Sequence, residues 1–515
     1  MEKLPLFLRL LRRRTRKGPS ARYDVRWEPA VPVPAADGSP LLTDHYAPRA
    51  NGDFPTVLLR APYVRSGFPW NYLYGVLTAE QGFHVLLQSS RGTGGSGGEF
   101  HTWHNEGPDG WAAVEWLREQ EWFTGELYTL GPSYMAFAQW AMAEKPPPEW
   151  KAAVMQVGMS DGHEFWWGGG AFRLERSLVG GLAMFGQAQT TKDFVRAMIR
   201  MRRTMKGATT RVPLLDAYPS IFGGRRPAFE EWLAHPEPEY WPELAVDLGI
   251  PVSLCTGWWD LATDQVIEQF QRLPDADLLI GPWTHTSSLE DGWTEIFAQA
   301  MRRLRGEPAA YRVRVHVGGA DEWRDLPTWP PPGVREEVWR FVHEPTTFRY
   351  DPRDPTPSIG GPLQSATQGQ VDNKELEKRG DVVLFTGEPL GEAVEVMGPV
   401  RAEFDATTTA ASGDLFARLC DVDPAGRSIN VCDGLARIVG GRTTVTMSHT
   451  AHRFRPGHRM RLLVAGGAHP RYLRNYGTGE PPGPATRMVA TETTIRDTSE
   501  VILTVGTPRP ATAPA

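Results

Sequence analysis

The sequence predicts a chain in three parts: an α/β domain, a mostly helical segment inserted into it, and a C-terminal all-β domain. Three observations carry this. Short apolar runs alternate with helix-periodic text over the first 150 residues and return at 251–280. The stretch between them has no strand rhythm after its first few residues. From about residue 310 the text becomes short, β-rich runs separated by turn residues.

Taken in order, the chain opens with MEKLPLFLRLLRRRTRKGPS. Its positive charge mostly follows the apolar residues, the reverse of a secretory leader, so residues 1–22 are expected to be a solvated basic tail. Val57–Leu59 and Val85–Leu87 are apolar runs bounded by turn residues, as expected for strands buried on both faces of a parallel sheet. Gly110 to Glu119 has helix periodicity, with Trp111, Val114 and Leu117 three apart. Tyr128–Leu130 reads as the next strand and Phe137–Glu144 as the next helix. The insertion holds GHEFWWGGGAF, a basic helical stretch from Phe194 to Lys206, and FEEWLAHPEPEYWPEL. Strands resume at Pro251–Cys255 and Leu278–Ile280, where the sheet is expected to close. Tyr311–Val317, Val382–Phe385 and His458–Val464 then read as strands of a sandwich or jelly roll. In the last of these, Met460, Leu462 and Val464 share one face. The closing PRPATAPA is expected to be disordered. The expected boundaries are 23–148 with 246–306 for the α/β domain, 149–245 for the helical cap and 307–508 for the jelly roll.

A length of 515 residues suits two or three domains, and 41% hydrophobic with 23% charged residues is ordinary for a globular protein. The net charge of −6 gives no drive toward nucleic acid, and the run Arg200–Arg203 reads as a solvated helix face. No segment has the roughly 20 apolar residues of a spanning helix, so stable membrane insertion is not expected. Cys255, Cys420 and Cys432 lack metal-ligand spacing. Reduced thiols in a cytoplasmic protein are expected; a Cys420–Cys432 disulfide is the alternative.

The stretch YTLGPSYMAFAQW places Ser133 on a sharp turn between a strand and a helix. There its hydroxyl would stand exposed at the top of the sheet, and the Tyr134 N–H would face the same space. A Gly-x-Ser alone is weak, since turns favour both residues. A serine nucleophile needs a base, and the base an orienting carboxylate. Asp260 in PVSLCTGWWD and His285 in LLIGPWTHT each follow a strand, in the order Ser, Asp, His of an α/β-hydrolase.

These stretches resemble the CocE/NonD family of serine hydrolases, related to the X-Pro dipeptidyl-peptidases. The family pattern G-x-S-Y-x-G-x-x-Q appears as GPSYMAFAQ, G-[WL]-x-D as GWWD, and GPWxH as GPWTH. RAPYVRSG and QSSRGTGGSGGEF resemble two upstream segments, and DEWRDLPTWPP, LFARLCDVDPAGRSINVCDG and HPRYLRNYGTG resemble later ones, mainly in the family's jelly roll. The resemblance runs from about residue 24 to 505. It implies Ser133 as nucleophile, His285 as general base and acid, Asp260 as orienting acid, and an oxyanion hole shared by the Tyr63 hydroxyl and the Tyr134 N–H. Tyr63 has a structural reading as well. Two positions depart from the pattern. Ala136 stands where the family has Gly, and Ser89 where it has Asp, which removes a carboxylate beside Arg91.

GTGGSG at Gly92–Gly97 matches a dinucleotide fingerprint, but no helix begins on its glycines, so a flexible loop near the site is expected instead. His101 and His104 lack a third ligand of clear type. No metal or organic cofactor is expected. Trp166 and Trp167 are candidates to line the substrate pocket, with core packing as the other reading. The expected enzyme is a serine hydrolase cleaving an ester, or an amide, of a small acyl substrate. The alternatives are an X-Pro dipeptidyl-peptidase or acylase, and a catalytically weak scaffold whose jelly roll binds carbohydrate or a partner.

Overall fold

The computed structural model describes residues 2–3, 18–65, 70–185, 191–241, 244, 247–341, 344–438 and 440–506. Most of the basic tail and the closing PRPATAPA lie outside these residues. An 11-stranded sheet runs through the first part of the chain. Its strands are β1 (Glu2–Lys3), β2 (Val25–Pro34), β3 (Pro40–Pro48), β4 (Thr56–Ala61), β5 (His84–Ser89), β6 (Leu127–Pro132), β7 (Trp150–Gln156), β8 (Val252–Trp259), β9 (Ala276–Thr284), β10 (Val313–Val317) and β11 (Glu322–Leu326). The spatial order is β1-β2-β3-β5-β4-β6-β7-β8-β9-β10-β11. From β5 to β10 every pairing is parallel, and the flanking pairings are antiparallel.

The central strands are apolar throughout because both faces of the sheet are covered. In β4, Leu58 enters one core with Val114, Leu117, Phe137 and Trp140. Its neighbours Val57 and Leu59 enter the opposite core with Leu73, Trp293, Phe297 and Leu304. Helices Glu106–Arg118 and Tyr134–Met142 therefore cover one face, and helix Trp293–Leu304 the other. Between β7 and β8 the chain leaves the sheet for a set of helices, among them Gly162–Trp167, Leu174–Phe185, Thr191–Thr209 and Pro227–Ala234. Aromatic contacts bind this insertion together: Trp166 stacks on Trp232 at 4.4 Å and Tyr218 meets Phe229 at 4.6 Å.

The sheet does not end at β9. Val313–Val317, read from sequence with the β-rich C-terminal text, pairs in parallel with β9, Val313 opposite Leu278 and Val315 opposite Ile280. The alternation in VRVHV looks like a sandwich strand. The preceding helix Trp293–Leu304, however, makes it the second strand of a βαβ crossover, which delivers it to the parallel sheet. The remaining strands, β12 (Arg335–Trp339) to β21 (Glu500–Gly506), form a six-stranded and a four-stranded sheet whose pairings are antiparallel. Met460, Leu462 and Val464 enter the shared core with Val396, Leu419, Val445 and Leu503. The two parts are tied by charge. The buried Glu395 carboxylate accepts from Arg324 of β11 at 2.8 and 2.7 Å and from Arg453 at 2.5 Å.

His45 of β3 and His84 of β5 are buried side by side, ring nitrogens 2.8 Å apart, against Trp122. Burial lowers the His45 pKa to about 3, aided by the His84 and Arg26 charges, and burial lowers His84 to about 4. Both rings are depressed below their unfolded value near 6.5, so below that pH the unfolded chain binds protons that the folded chain refuses. Stability is therefore full above pH 6.5 and falls as the pH drops toward 4. Thermal unfolding midpoints should decline from pH 6.5 to 4.5, and His84→Gln should flatten that decline. An equally steep decline in the variant would contradict this.

Candidate active site

Ser133 lies between β6 and helix Tyr134–Met142 with φ 57° and ψ −125°, the left-handed half of backbone space. A serine rarely rests there, and such strain persists only when its surroundings enforce it. Here the Ser133 N–H donates to the Gln156 carbonyl of β7 at 2.8 Å, and its carbonyl accepts from Ala136 at 2.9 Å. Gln156 is itself held by the Tyr74 hydroxyl at 2.7 Å. Gly131 has no room for a side chain, since a Cβ there would come within 2.5 Å of the Met135 Cβ. Gln139, three residues past the Gly position of the family pattern, pins the helix to the sheet. It accepts from Thr129 at 2.6 Å and donates to Val154 O at 3.2 Å.

The sheet brings three strand ends together. His285 follows β9 and Asp260 follows β8. His285 Nε2 lies 3.1 Å from Ser133 Oγ, and His285 Nδ1 lies 2.6 Å from Asp260 Oδ2. A carboxylate only accepts, so Nδ1 carries the proton and Nε2 presents its lone pair to the serine hydroxyl. The other Asp260 oxygen accepts the Ala262 N–H at 2.8 Å, which fixes the carboxylate's rotation. Ser288 Oγ donates to the His285 carbonyl at 2.9 Å.

Tyr63, just past β4, hydrogen-bonds the Ser133 side chain and accepts from the Tyr134 N–H. Burial lifts its phenol above the ordinary tyrosine value, so it stays a proton donor. Beneath the turn, the Tyr134 ring is buried and its phenol is held far above its usual pKa, by burial first and the Glu106 charge second. Glu106 pairs with the buried Arg60 at 2.9 Å and accepts from Ser90 at 3.0 Å. This network, with Gln156, was not visible in the sequence. Glu106 lies 27 residues before Ser133 by number and no local spacing marks it.

The two departures from the family pattern are both compensated. Ala136 is fully buried, and its methyl faces Gly158, where a second Cβ would lie only 2.3 Å away. Glycine at 158 leaves room for that methyl, so the helix packs closely on the chain after β7. Arg91 keeps a carboxylate through a two-pronged contact with Asp109 at 2.7 and 2.6 Å. Ser89 instead lies 3.4 Å from Arg65, whose carboxylate partner is Asp44 at 2.8 Å. The glycine loop is held rather than free: Gly92 N–H donates to Gly97 O at 3.0 Å, and Gly97 N–H to Pro40 O at 2.8 Å. Trp166 and Trp167 are both buried in the insertion's aromatic core, and Trp167 Nε1 donates to Trp232 O at 2.7 Å.

The chain has relatives among known proteins. Residues 37–287 match the X-Pro dipeptidyl-peptidase (S15) family, and residues 307–501 match the X-Pro dipeptidyl-peptidase C-terminal non-catalytic domain. The cocaine esterase of Rhodococcus sp. (strain MB1 Bresler) is 30% identical over 87% of this chain and 92% of that protein. The chain belongs to the CocE/NonD family of serine hydrolases. Solved structures share the CocE/NonD fold across nearly the whole chain. An α-amino acid ester hydrolase superposes with a TM-score of 0.70 at 19% identity, covering 95% of this chain and 98% of that one. A CocE/NonD family hydrolase from Staphylococcus aureus gives 0.69 at 16%, covering 94% of each chain. An aminopeptidase from a marine sediment Thaumarchaeota archaeon gives 0.71 at 20%, covering 95% and 98%.

The Ala136–Gly158 contact can be tested by exchange. Gly158→Ala alone should destabilise the fold by about 1–3 kcal/mol through overpacking. Adding Ala136→Gly should restore most of the loss. A double variant as unstable as the single one would refute the pairing.

Proposed function

We propose that Ser133 is the nucleophile of an ester hydrolase, with His285 as its general base and acid and Asp260 orienting the imidazole. The observation that carries this is the pair of hydrogen bonds in series, 3.1 Å from serine to histidine and 2.6 Å from histidine to aspartate. Ser133 Oγ attacks the ester carbonyl carbon as its proton passes to His285 Nε2. The carbonyl oxygen becomes an oxyanion, held by the Tyr134 N–H and the Tyr63 hydroxyl. One such donor is typically worth about 3–4 kcal/mol. The oxyanion collapses, the alkoxy group leaves with the proton from His285, and an acyl-serine remains. Water then attacks the acyl carbon while His285 takes its proton, and the carboxylic acid and free serine result. The substrate is a small ester or amide. The three cysteines are free and buried, which supports a reducing, cytoplasmic setting. Among the described residues no helix is long and apolar enough to cross a membrane.

A reading as an X-Pro dipeptidyl-peptidase or α-amino ester hydrolase needs carboxylates free to hold a substrate ammonium. Three acids, two in the insertion and one in the helix after Asp260, already have partners. Asp161 caps the Glu164 N–H at 2.9 Å, Glu164 pairs with Arg173 at 2.9 Å, and Asp264 accepts the His449 N–H at 2.9 Å. Leu261 and Ala262, next to Asp260, are buried and apolar. This supports a preference for acyl esters without an α-ammonium group.

A fluorophosphonate probe should label the protein, and Ser133→Ala should abolish labelling without lowering the unfolding temperature by more than a few degrees. Labelling that survives the substitution would overturn the assignment. For matched p-nitrophenyl esters with and without an α-amino group, normalised to spontaneous hydrolysis, kcat/KM should favour the uncharged ester. The expected margin is about 10- to 150-fold, the usual worth of a missing charged hydrogen bond. Preference for the α-amino ester would instead favour the peptidase reading.

A further inference from the structure

Beside the catalytic loops, toward β10, the α/β domain and the β-sandwich enclose a cavity of about 510 Å³. It lies past the C-terminal ends of β8, β9 and β10, the edge at which open α/β sheets take ligands. Trp259 and Thr284, the residues before Asp260 and His285, form part of its wall, and Gln368 and His452 close it from the sandwich. None of Ser133, Tyr63, Asp260 and His285 lines it, so it is a space apart from the acyl site.

Two histidines in this wall are wired alike. His316 of β10 is 8% exposed and His452 is 2% exposed. His316 Nε2 lies 2.9 Å from Asp321 Oδ1, and His452 Nε2 lies 2.9 Å from Asp421 Oδ2. A carboxylate only accepts, so each Nε2 carries its proton and each neutral ring keeps a lone pair on Nδ1. Among the described residues neither Nδ1 has a hydrogen-bond partner. Residues 316 and 318 share a strand face, and a Cβ at Gly318 would lie 2.8 Å from His452 Nδ1. Glycine there leaves that nitrogen open. Gln368 Oε1 is a third acceptor without a partner, and the Trp259 indole N–H is an unpartnered donor. The Asp321 carboxylate stands at the mouth, its side chain 90% exposed, and no lysine or arginine lines the cavity. Lone pairs, a carboxylate and an aromatic face are the surroundings that suit an ammonium ion. Two histidines are too few for a closed metal site, and among the described residues no three His, Cys, Asp or Glu side chains cluster to hold one.

We propose that this cavity is a second binding site, for a small aromatic amino alcohol. Its ammonium group donates to the histidine lone pairs and faces the Asp321 charge, and its hydroxyl oxygen accepts the Trp259 N–H. The inference stands apart from the hydrolase reading and holds whether or not Ser133 is the nucleophile. Because the acyl site lies elsewhere, amino alcohol and ester bind together.

The test titrates the full chain by calorimetry with 2-amino-1-phenylethanol and with its neutral counterpart, 1-phenylethane-1,2-diol. The titrations are run at about pH 8, where an ordinary histidine is neutral. The amino alcohol should bind about tenfold more tightly, the usual worth of a charged hydrogen bond. Asp321→Asn should weaken its binding about two- to fivefold, as for an exposed charge, and leave the diol unchanged. His316→Phe should remove most of the preference for the amino alcohol. If His316→Phe fails to fold, Asp321→Asn decides, since that side chain stands in solvent. In hydrolysis of a neutral 4-nitrophenyl ester, the amino alcohol should leave KM unchanged. A KM that rises in proportion to the amino alcohol would place it at the acyl site and overturn the proposal. Equal affinity for the two compounds, binding of neither, or a preference unchanged in either variant would also overturn it.

Discussion

Ser133 is held at a positive φ, a conformation worth roughly 1–3 kcal/mol of strain for a residue with a side chain. The arrangement of the site follows from that constraint. The turn lifts the hydroxyl off the end of β6 and aims it at His285, and it starts a helix whose first N–H, on Tyr134, faces the same space. Three things keep the turn in place: the hydrogen bond from Ser133 to Gln156, the absence of a side chain at Gly131, and the hold of Gln139 on its neighbours. The parallel order β6-β7-β8-β9 then brings the Asp260 and His285 loops to the same edge.

A second layer fixes the partner side chains. The Arg60–Glu106 pair is buried below Tyr134, and breaking such a pair leaves an uncompensated charge. The β-sandwich contributes from the other side, where Gln368 Nε2 donates to Thr286 Oγ1 at 2.7 Å, one residue past His285. Trp258, two residues before Asp260, donates its indole N–H to the His316 carbonyl of β10 at 2.6 Å. The histidine and aspartate loops are thus braced from outside the strands that carry them.

The central sheet was legible in the sequence because its strands are buried on both faces and read as apolar runs. The Ser133, Asp260 and His285 candidates were legible because each lies at the end of such a run. What the sequence hid depends on contacts between distant segments. Ala136 departs from the family pattern, but Gly158, which makes room for its methyl, lies in the loop after β7. The carboxylate absent at Ser89 has its counterpart in Asp44 on β3, beside Arg65. The strand at 313–317 has the alternation of a sandwich strand, and only the helix before it carries it into the large sheet.

The central claim is that one strained turn places both the nucleophile and an oxyanion donor. The most direct measurement is a crystal structure of the phosphonate adduct, whose tetrahedral phosphorus stands in for the acyl carbon of the intermediate. The account predicts phosphorus bonded to Ser133 Oγ. Its charged oxygen should lie within about 3.1 Å of both the Tyr134 nitrogen and the Tyr63 hydroxyl. An adduct on another residue, or a phosphonyl oxygen turned away from both tyrosines, would contradict it.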